Sequence, residues 1–276
     1  MKTSKVSRLF ADDGGEGRTE LPIVFLHSLA GNTQHWEAQL RHARQTRRAI
    51  ALDLCGHGRS PAADGDFALE SLAQDVHTTL HELDVERFIL VGHSLGGSVA
   101  VAYAGSYQQQ VAGLLLVDPS GDSTQLPTEQ VQGLLGALQS EAYTAVIEEY
   151  WQQILTGATE ATQAQVMHDL HKMDKATVVG MMQALLSYKP TPALQKYAGQ
   201  RLSVITPINQ APFSLHNLVP DFPHTVIGGT SHWLHMDKPE QFNEIMDAFI
   251  LAVSATAKSN KLVPPPIQTR VLRKRP

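Results

Sequence analysis

Short, wholly apolar runs separated by helical stretches constrain this chain more than any other feature. Pro22-Ile23-Val24-Phe25-Leu26, Ala49-Ile50-Ala51-Leu52-Asp53, Phe88-Ile89-Leu90-Val91 and Val111 to Val117 are the four runs of the N-terminal half. Runs of this length without polar alternation read as strands buried on both faces. Between them, Thr33 to Gln45 places Trp36, Leu40 and Ala43 roughly on one side of a helix. Phe67 to Leu83 repeats Leu69, Leu72, Ala73, Val76 and Leu80 at helical intervals, and Ser98 to Tyr107 is a helix of small residues. Such alternation implies βαβ units, which join right-handedly into a parallel sheet. The predicted fold class is therefore α/β, a mostly parallel central sheet flanked by helices.

The rhythm breaks after Val117. From about Asp122 to Ala193 the chain is helical in character, and strands return at Leu202-Ser203-Val204-Ile205 and His224-Thr225-Val226-Ile227 before a last helix over Glu240 to Val253. The expected organisation is a core of residues 1–121 and 194–256 and a helical cap of residues 122–193. Residues 257–276 form a basic tail, extended at Pro264-Pro265-Pro266. At 276 residues the chain is long enough to bury a full core.

Charge and composition exclude several roles. The tail carries six Lys and Arg and no acid, so a net charge of −5 leaves the rest at −11, unlike a nucleic-acid binder. No apolar run approaches the roughly 20 residues of a membrane-spanning helix. Met1 to Arg8 lacks the apolar stretch of a secretion signal, and Cys55, the single cysteine, can form no internal disulfide. A cytoplasmic address is expected.

Chemistry concentrates at Gly92-His93-Ser94-Leu95-Gly96, followed by Gly97. A G-x-S-x-G sequence between a strand and a helix fits a serine on a sharp turn, its small neighbours letting the backbone bend. The same turn starts a helix whose N-terminal dipole favours negative charge. Five-residue matches arise by chance, but here the strand and the helix are both in place.

On these residues the chain resembles the α/β-hydrolase family, as a capped serine hydrolase, from about Pro22 to Val253. His27-Ser28-Leu29-Ala30-Gly31 is similar to the family's H-G-x-x-G oxyanion loop, with Ser28 in place of glycine. The match implies that the backbone N–H groups of Leu29 and Leu95 form the oxyanion hole. Trp36 and Asp53 to Ser60 also fit family positions. Gly228-Gly229-Thr230-Ser231-His232-Trp233 resembles the loop of the catalytic histidine, making His232 the general base and Ser94 the nucleophile. His235 is the local competitor. His27, His57 and His93 are expected to serve hydrogen bonding or packing, and His168 and His171 to lie on a solvated helix face.

The acid departs from the family's pattern. The region after the strand that follows the cap reads Thr206-Pro207-Ile208-Asn209-Gln210-Ala211, without a carboxylate. Asp118, at the end of the strand after the nucleophile helix, is the favoured substitute, as in some relatives of the family; Asp122 and no carboxylate at all stay open. Asn209 or Gln210 is a candidate to hold the imidazole by an amide instead. Asp53 is expected to order the turn containing His57, and Asp221 and Asp237 to be loop residues.

The expected reaction is acyl transfer on a small or medium, largely apolar ester, through an acyl-enzyme on Ser94. No metal and no organic cofactor is called for, and the partner is a small molecule; the sequence does not give the oligomeric state. C–C bond hydrolysis remains open. So does a non-catalytic ligand-binding or sensory protein on the same scaffold, which the missing acid and Ser28 would favour.

Overall fold

A computed structural model describes residues 8–17, 20–62 and 65–262. Seven strands form one sheet: β1 (Ala11–Gly14), β2 (Ile23–Leu26), β3 (Ala49–Leu52), β4 (Phe88–His93), β5 (Val111–Val117), β6 (Gln200–Ile205) and β7 (His224–Val226). Their spatial order is β1-β3-β2-β4-β5-β6-β7. Only β1 runs antiparallel, against β3.

The sheet is covered on both sides. Helices α1 (Glu37–Ala43), α2 (Leu69–Glu82) and α3 (Leu95–Ser106) alternate with the first strands. Five helices then stand between β5 and β6: α4 (Thr128–Gln139), α5 (Tyr143–Ile154), α6 (Glu160–Lys172), α7 (Lys175–Ser187) and α8 (Thr191–Lys196). The short α9 (Leu215–Leu218) and α10 (Leu234–Asp237) precede a long α11 (Pro239–Leu262). Because strand side chains alternate between faces, neighbouring residues enter different cores. Val24, Leu26 and Leu90 pack with α2 and α3, whereas Ile23, Phe25, Ile89 and Val91 pack with Trp36, Leu40, Phe242 and Phe249 of the α1 and α11 side. Each such fully buried side chain stabilises the fold by about 1.5–3 kcal/mol relative to exposure, and the doubly covered sheet explains why these strands read as unbroken apolar runs.

Several boundaries differ from expectation. The stretch from Thr33 begins as a 3-10 turn over Thr33–Trp36, started by Asn32, whose side chain accepts from Gln34 N–H. The helix after the elbow starts at Leu95 rather than Ser98. The final helix runs past 256 to Leu262, and residues 263–276, the greater part of the expected basic tail, lie outside the described residues. Strand β1 was not foreseen: Ala-Asp-Asp-Gly offers no apolar pattern and is held as an edge through its ladder with β3. Among the described residues no helix is long and apolar enough to cross a membrane.

Candidate active site

Ser94 and Asp118 occupy equivalent places on adjacent strands. His93 of β4 pairs with Val117 of β5, and each chain continues one residue further into a left-handed backbone, φ +51° at Ser94 and +39° at Asp118. Such angles are unfavourable for residues with a Cβ and persist where surrounding structure enforces them. Here the sheet does so: Ser94 N–H donates to Val117 O at 3.1 Å and Asp118 N–H to Val204 O at 2.7 Å. Glycines permit the elbow. A Cβ on Gly92 would lie 2.4 Å from Gly96 O, and one on Gly96 2.5 Å from Leu26 O. Ser94 stands at the N-cap of α3 yet its side chain makes no capping bond, so the hydroxyl is not spent on the helix.

Asp118 is almost fully buried and heavily solvated by protein groups. Its Oδ1 accepts from Thr206 N–H at 2.9 Å and Asn209 Nδ2 at 3.0 Å, with Thr206 Oγ1 at 3.1 Å. Its Oδ2 lies 2.6 Å from His232 Nδ1. Burial by itself would raise the Asp118 pKa, but the hydrogen bond and charge of His232, with Thr206 and Asn209, hold it below the ordinary carboxylate value. The ionised carboxylate takes Nδ1–H, which leaves the imidazole lone pair on Nε2.

The loop that carries His232 is fastened at several points. His232 N–H donates to Ile154 O at 3.0 Å, and His93 Nε2 lies 2.9 Å from His232 O. Asp237 accepts from Ser231 N–H and Oγ at 2.8 and 2.6 Å, and from Thr159 N–H at 3.0 Å. Asp237 was expected to be a plain loop residue; it lies in α10 and ties the histidine loop to the segment joining α5 and α6. Nothing in its local sequence signals that, because its partners lie in a distant segment.

Two buried histidines shape the turn after β2. Leu54 N–H donates to His27 Nε2 at 2.9 Å and His27 Nδ1 reaches Ser28 O at 2.7 Å. Ala30 N–H donates to His57 Nε2 at 3.2 Å, with Nδ1 on Cys55 O at 3.1 Å. Both rings must therefore be neutral. Burial, joined at His27 by the neighbouring charge of His57, lowers the pKa of both, His57 to about 4. Asp53 accepts from Thr33 N–H at 2.6 Å and Arg59 N–H at 2.8 Å, ordering the turns on either side as anticipated. A second buried tie, Asp169 of α6, takes Asn32 Nδ2 at 2.9 Å and His35 Nε2 at 3.0 Å. It joins the inserted helices to the same turn.

The structure brings Ser94, Asp118, His232, Ser28 and Leu29 to the wall of one cavity of about 360 Å³. Its remaining wall is mainly apolar, with Leu134, Tyr150, Trp151 and Met182 from the inserted helices and Ile208 and Phe213 after β6. Leu95 begins α3, where the first N–H groups have no intrahelical acceptor. A larger cleft of about 650 Å³ beside Arg59 and Lys172 includes neither Ser94 nor His232.

Other candidates go elsewhere. Asp122 caps the turn over Ser123–Gln125 through Thr124 N–H. Asn209 supports Asp118 rather than the imidazole, since its Nδ2 donates to the carboxylate; the amide alternative is thereby corrected. His235 is fully buried, its ring centroid 4.2 Å from that of Trp36 and 4.7 Å from that of His93. His171 meets Glu148 on an exposed helix face. Among the described residues no group of three or more His, Cys, Asp or Glu could hold a metal ion.

Comparison with known proteins agrees with this layout. Residues 22–149 match the family described as alpha/beta hydrolase fold. An esterase from Exiguobacterium antarcticum superposes with a TM-score of 0.77 at 19% identity, over 88% of this chain and 96% of that one, a likeness of fold alone. The chain has the α/β-hydrolase fold. Among curated members of wider kinship, this hydrolase-fold chain is 29% identical over 248 residues to the dihydrolipoyllysine-residue acetyltransferase component of the acetoin cleaving system of Pseudomonas putida. That match takes in 86% of this chain and 65% of the relative, and other curated relatives are covered over 36% or 29% of their lengths. It is 24% identical to the sn-1-specific diacylglycerol lipase ABHD11 of Mus musculus, over 85% of this chain and 83% of the lipase.

Proposed function

We propose that this hydrolase-fold protein is a serine esterase working through an acyl-enzyme, with Ser94 as nucleophile, His232 as general base and Asp118 as the orienting acid. The 2.6 Å contact between Asp118 Oδ2 and His232 Nδ1 carries the reading. A carboxylate in place on the imidazole speaks against a decayed, ligand-binding scaffold, for which that acid would have no use. His232 Nε2 takes the proton as Ser94 Oγ attacks the ester carbonyl. Asp118 stabilises the resulting imidazolium and keeps the ring oriented. The tetrahedral oxyanion is received by the N–H groups of Leu29 and Leu95. On collapse His232 returns its proton to the departing alkoxide, and water repeats the sequence to release the acid.

A cavity of about 360 Å³ with apolar walls suits a small or medium uncharged ester. The inserted helices, residues 122–193, act as the cap that closes over it. Relatives described as an esterase and a diacylglycerol lipase are consistent with ester chemistry. The test is turnover of p-nitrophenyl esters from acetate to octanoate by wild type and Ser94→Ala. Activity confined to the shorter chains and abolished by Ser94→Ala is the expected result; equal inactivity of both proteins on every ester refutes the reading.

A further inference from the structure

The oxyanion turn holds a polar atom that the scheme above does not use. Ser28, where the family's pattern has glycine, is 2% exposed, and its Oγ has no hydrogen-bond partner in the protein. A buried hydroxyl left unpaired forfeits its bonds to water without replacement, a loss that glycine or alanine would avoid. The backbone does not require a special residue here either, since Ser28 is absent from the positive-φ positions while Ala30, two residues on, is among them. Ser28 lines the same cavity as Ser94 and His232. Its carbonyl is engaged twice, by His27 Nδ1 at 2.7 Å and Gly31 N–H at 3.0 Å, so the turn that carries the side chain is fixed.

We propose that the Ser28 hydroxyl is a third donor to the oxyanion, beside the backbone N–H groups of Leu29 and Leu95. The proposal rests on the reading of Ser94 as an acyl-transfer nucleophile. In the resting protein the hydroxyl lacks an acceptor; when the carbonyl becomes tetrahedral, the negative oxygen supplies one. No proton is transferred, and the O–H of Ser28 only donates a hydrogen bond. A group satisfied in the transition state and unsatisfied beforehand favours the chemical step over ground-state binding. Trp151 and Trp233 also line the cavity with unpartnered indole N–H groups, but Ser28 alone of the three belongs to the oxyanion turn.

The test uses full-length wild type, Ser28→Ala and Ser28→Gly, with a fluorophosphonate probe and a p-nitrophenyl ester. Mass spectrometry locates the label, and thermal melts report stability. Loss of a single oxyanion donor costs about 100- to 1000-fold in kcat where measured. The expected result is labelling of Ser94 slowed at least 10-fold in both variants. With it go a parallel fall in kcat, a steady KM, and an unchanged or higher melting temperature. Labelling and kcat at wild-type rates in both variants overturn the proposal while leaving Ser94 as nucleophile. A fall in melting temperature with unchanged labelling assigns Ser28 to the framework and also overturns it. Failure of wild type to be labelled at Ser94 removes the underlying reading, and the proposal with it.

Discussion

Lowering the pH from 7 to 5 is expected to destabilise this protein steeply, through histidines held neutral in its interior. His27, His57, His93 and His235 are fully buried, and burial is the largest cause lowering each pKa, joined at His27, His93 and His235 by neighbouring histidine charges. In the unfolded chain these groups protonate near pH 6.5. The folded state resists, so below pH 6.5 the unfolded state binds more protons and stability falls as pH falls. For His57, whose folded pKa is about 4, the penalty is about 2 kcal/mol at pH 5 and approaches about 3.4 kcal/mol at lower pH. His27, His93 and His235 are lowered well below the ordinary histidine value and act with the same sign, so each adds to the loss. Asp118 and Asp169, whose pKa values are depressed, act with the same sign but at lower pH: their contribution is full above the unfolded carboxylate pKa and is lost below about pH 4. Urea unfolding at half-unit pH intervals gives the protons taken up on unfolding from the slope. The slope near pH 5 should be positive and drop by about one proton in His57→Gln. A stability that is flat between pH 7 and 5 would refute the reasoning.

Other perturbations test separate parts of the structure. Asp118→Asn should lower kcat about ten-thousand-fold with KM nearly unchanged, measured on the best ester; a loss below tenfold removes Asp118 from the triad. Asp237→Asn, which loosens the loop of His232, should cut kcat several-fold without moving the ester chain-length preference, and unchanged kcat would show that the loop holds itself. Asp169→Ala strands His35 and Asn32, so urea unfolding should show a loss of about 3 kcal/mol; a loss under about 1 kcal/mol would mean the tie is idle. Met182→Ala enlarges the cavity and should shift ester preference toward longer acyl chains in kcat/KM, whereas an unshifted profile would place the acyl group elsewhere.

Much of this fold is legible in sequence because its strands are covered on both faces. Ile23 to Leu26 and Val111 to Val117 are buried throughout, so burial writes itself as an apolar run. β1 escapes because an edge strand needs only backbone partners, and Ala11–Gly14 finds them on β3. Ser94 and its glycines are local, and the elbow is visible in five residues. Asp118 is visible as a strand-terminal acid and, through the family resemblance, as the favoured partner of His232, although their contact joins positions 114 residues apart. Asn209 shows the limit: the sequence offers it as a holder of the imidazole, yet its amide faces the carboxylate instead. Asp237 and Asp169 are illegible for the same reason, because what they hold is defined only once the inserted helices have packed.

The rung His93↔Val117 has a consequence for how such a protein can change over time. Ser94 and Asp118, each following a paired residue, share one rigid frame, and their separation is inherited from the inter-strand spacing of about 4.8 Å. The loop after β6 carries no carboxylate, and its duty toward the acid falls to Thr206 and Asn209, with Ser214 Oγ holding the Asn209 amide at 2.9 Å. Between Asn209 and Ser214 the backbone is tied, Phe213 O accepting from Asp122 N–H, but the side chains of Gln210 to Phe213 are open to exchange, and Phe213 already borders the cavity. Under the proposed mechanism, selectivity can be rewritten there while Ser94 and Asp118 stay on the frame of the sheet.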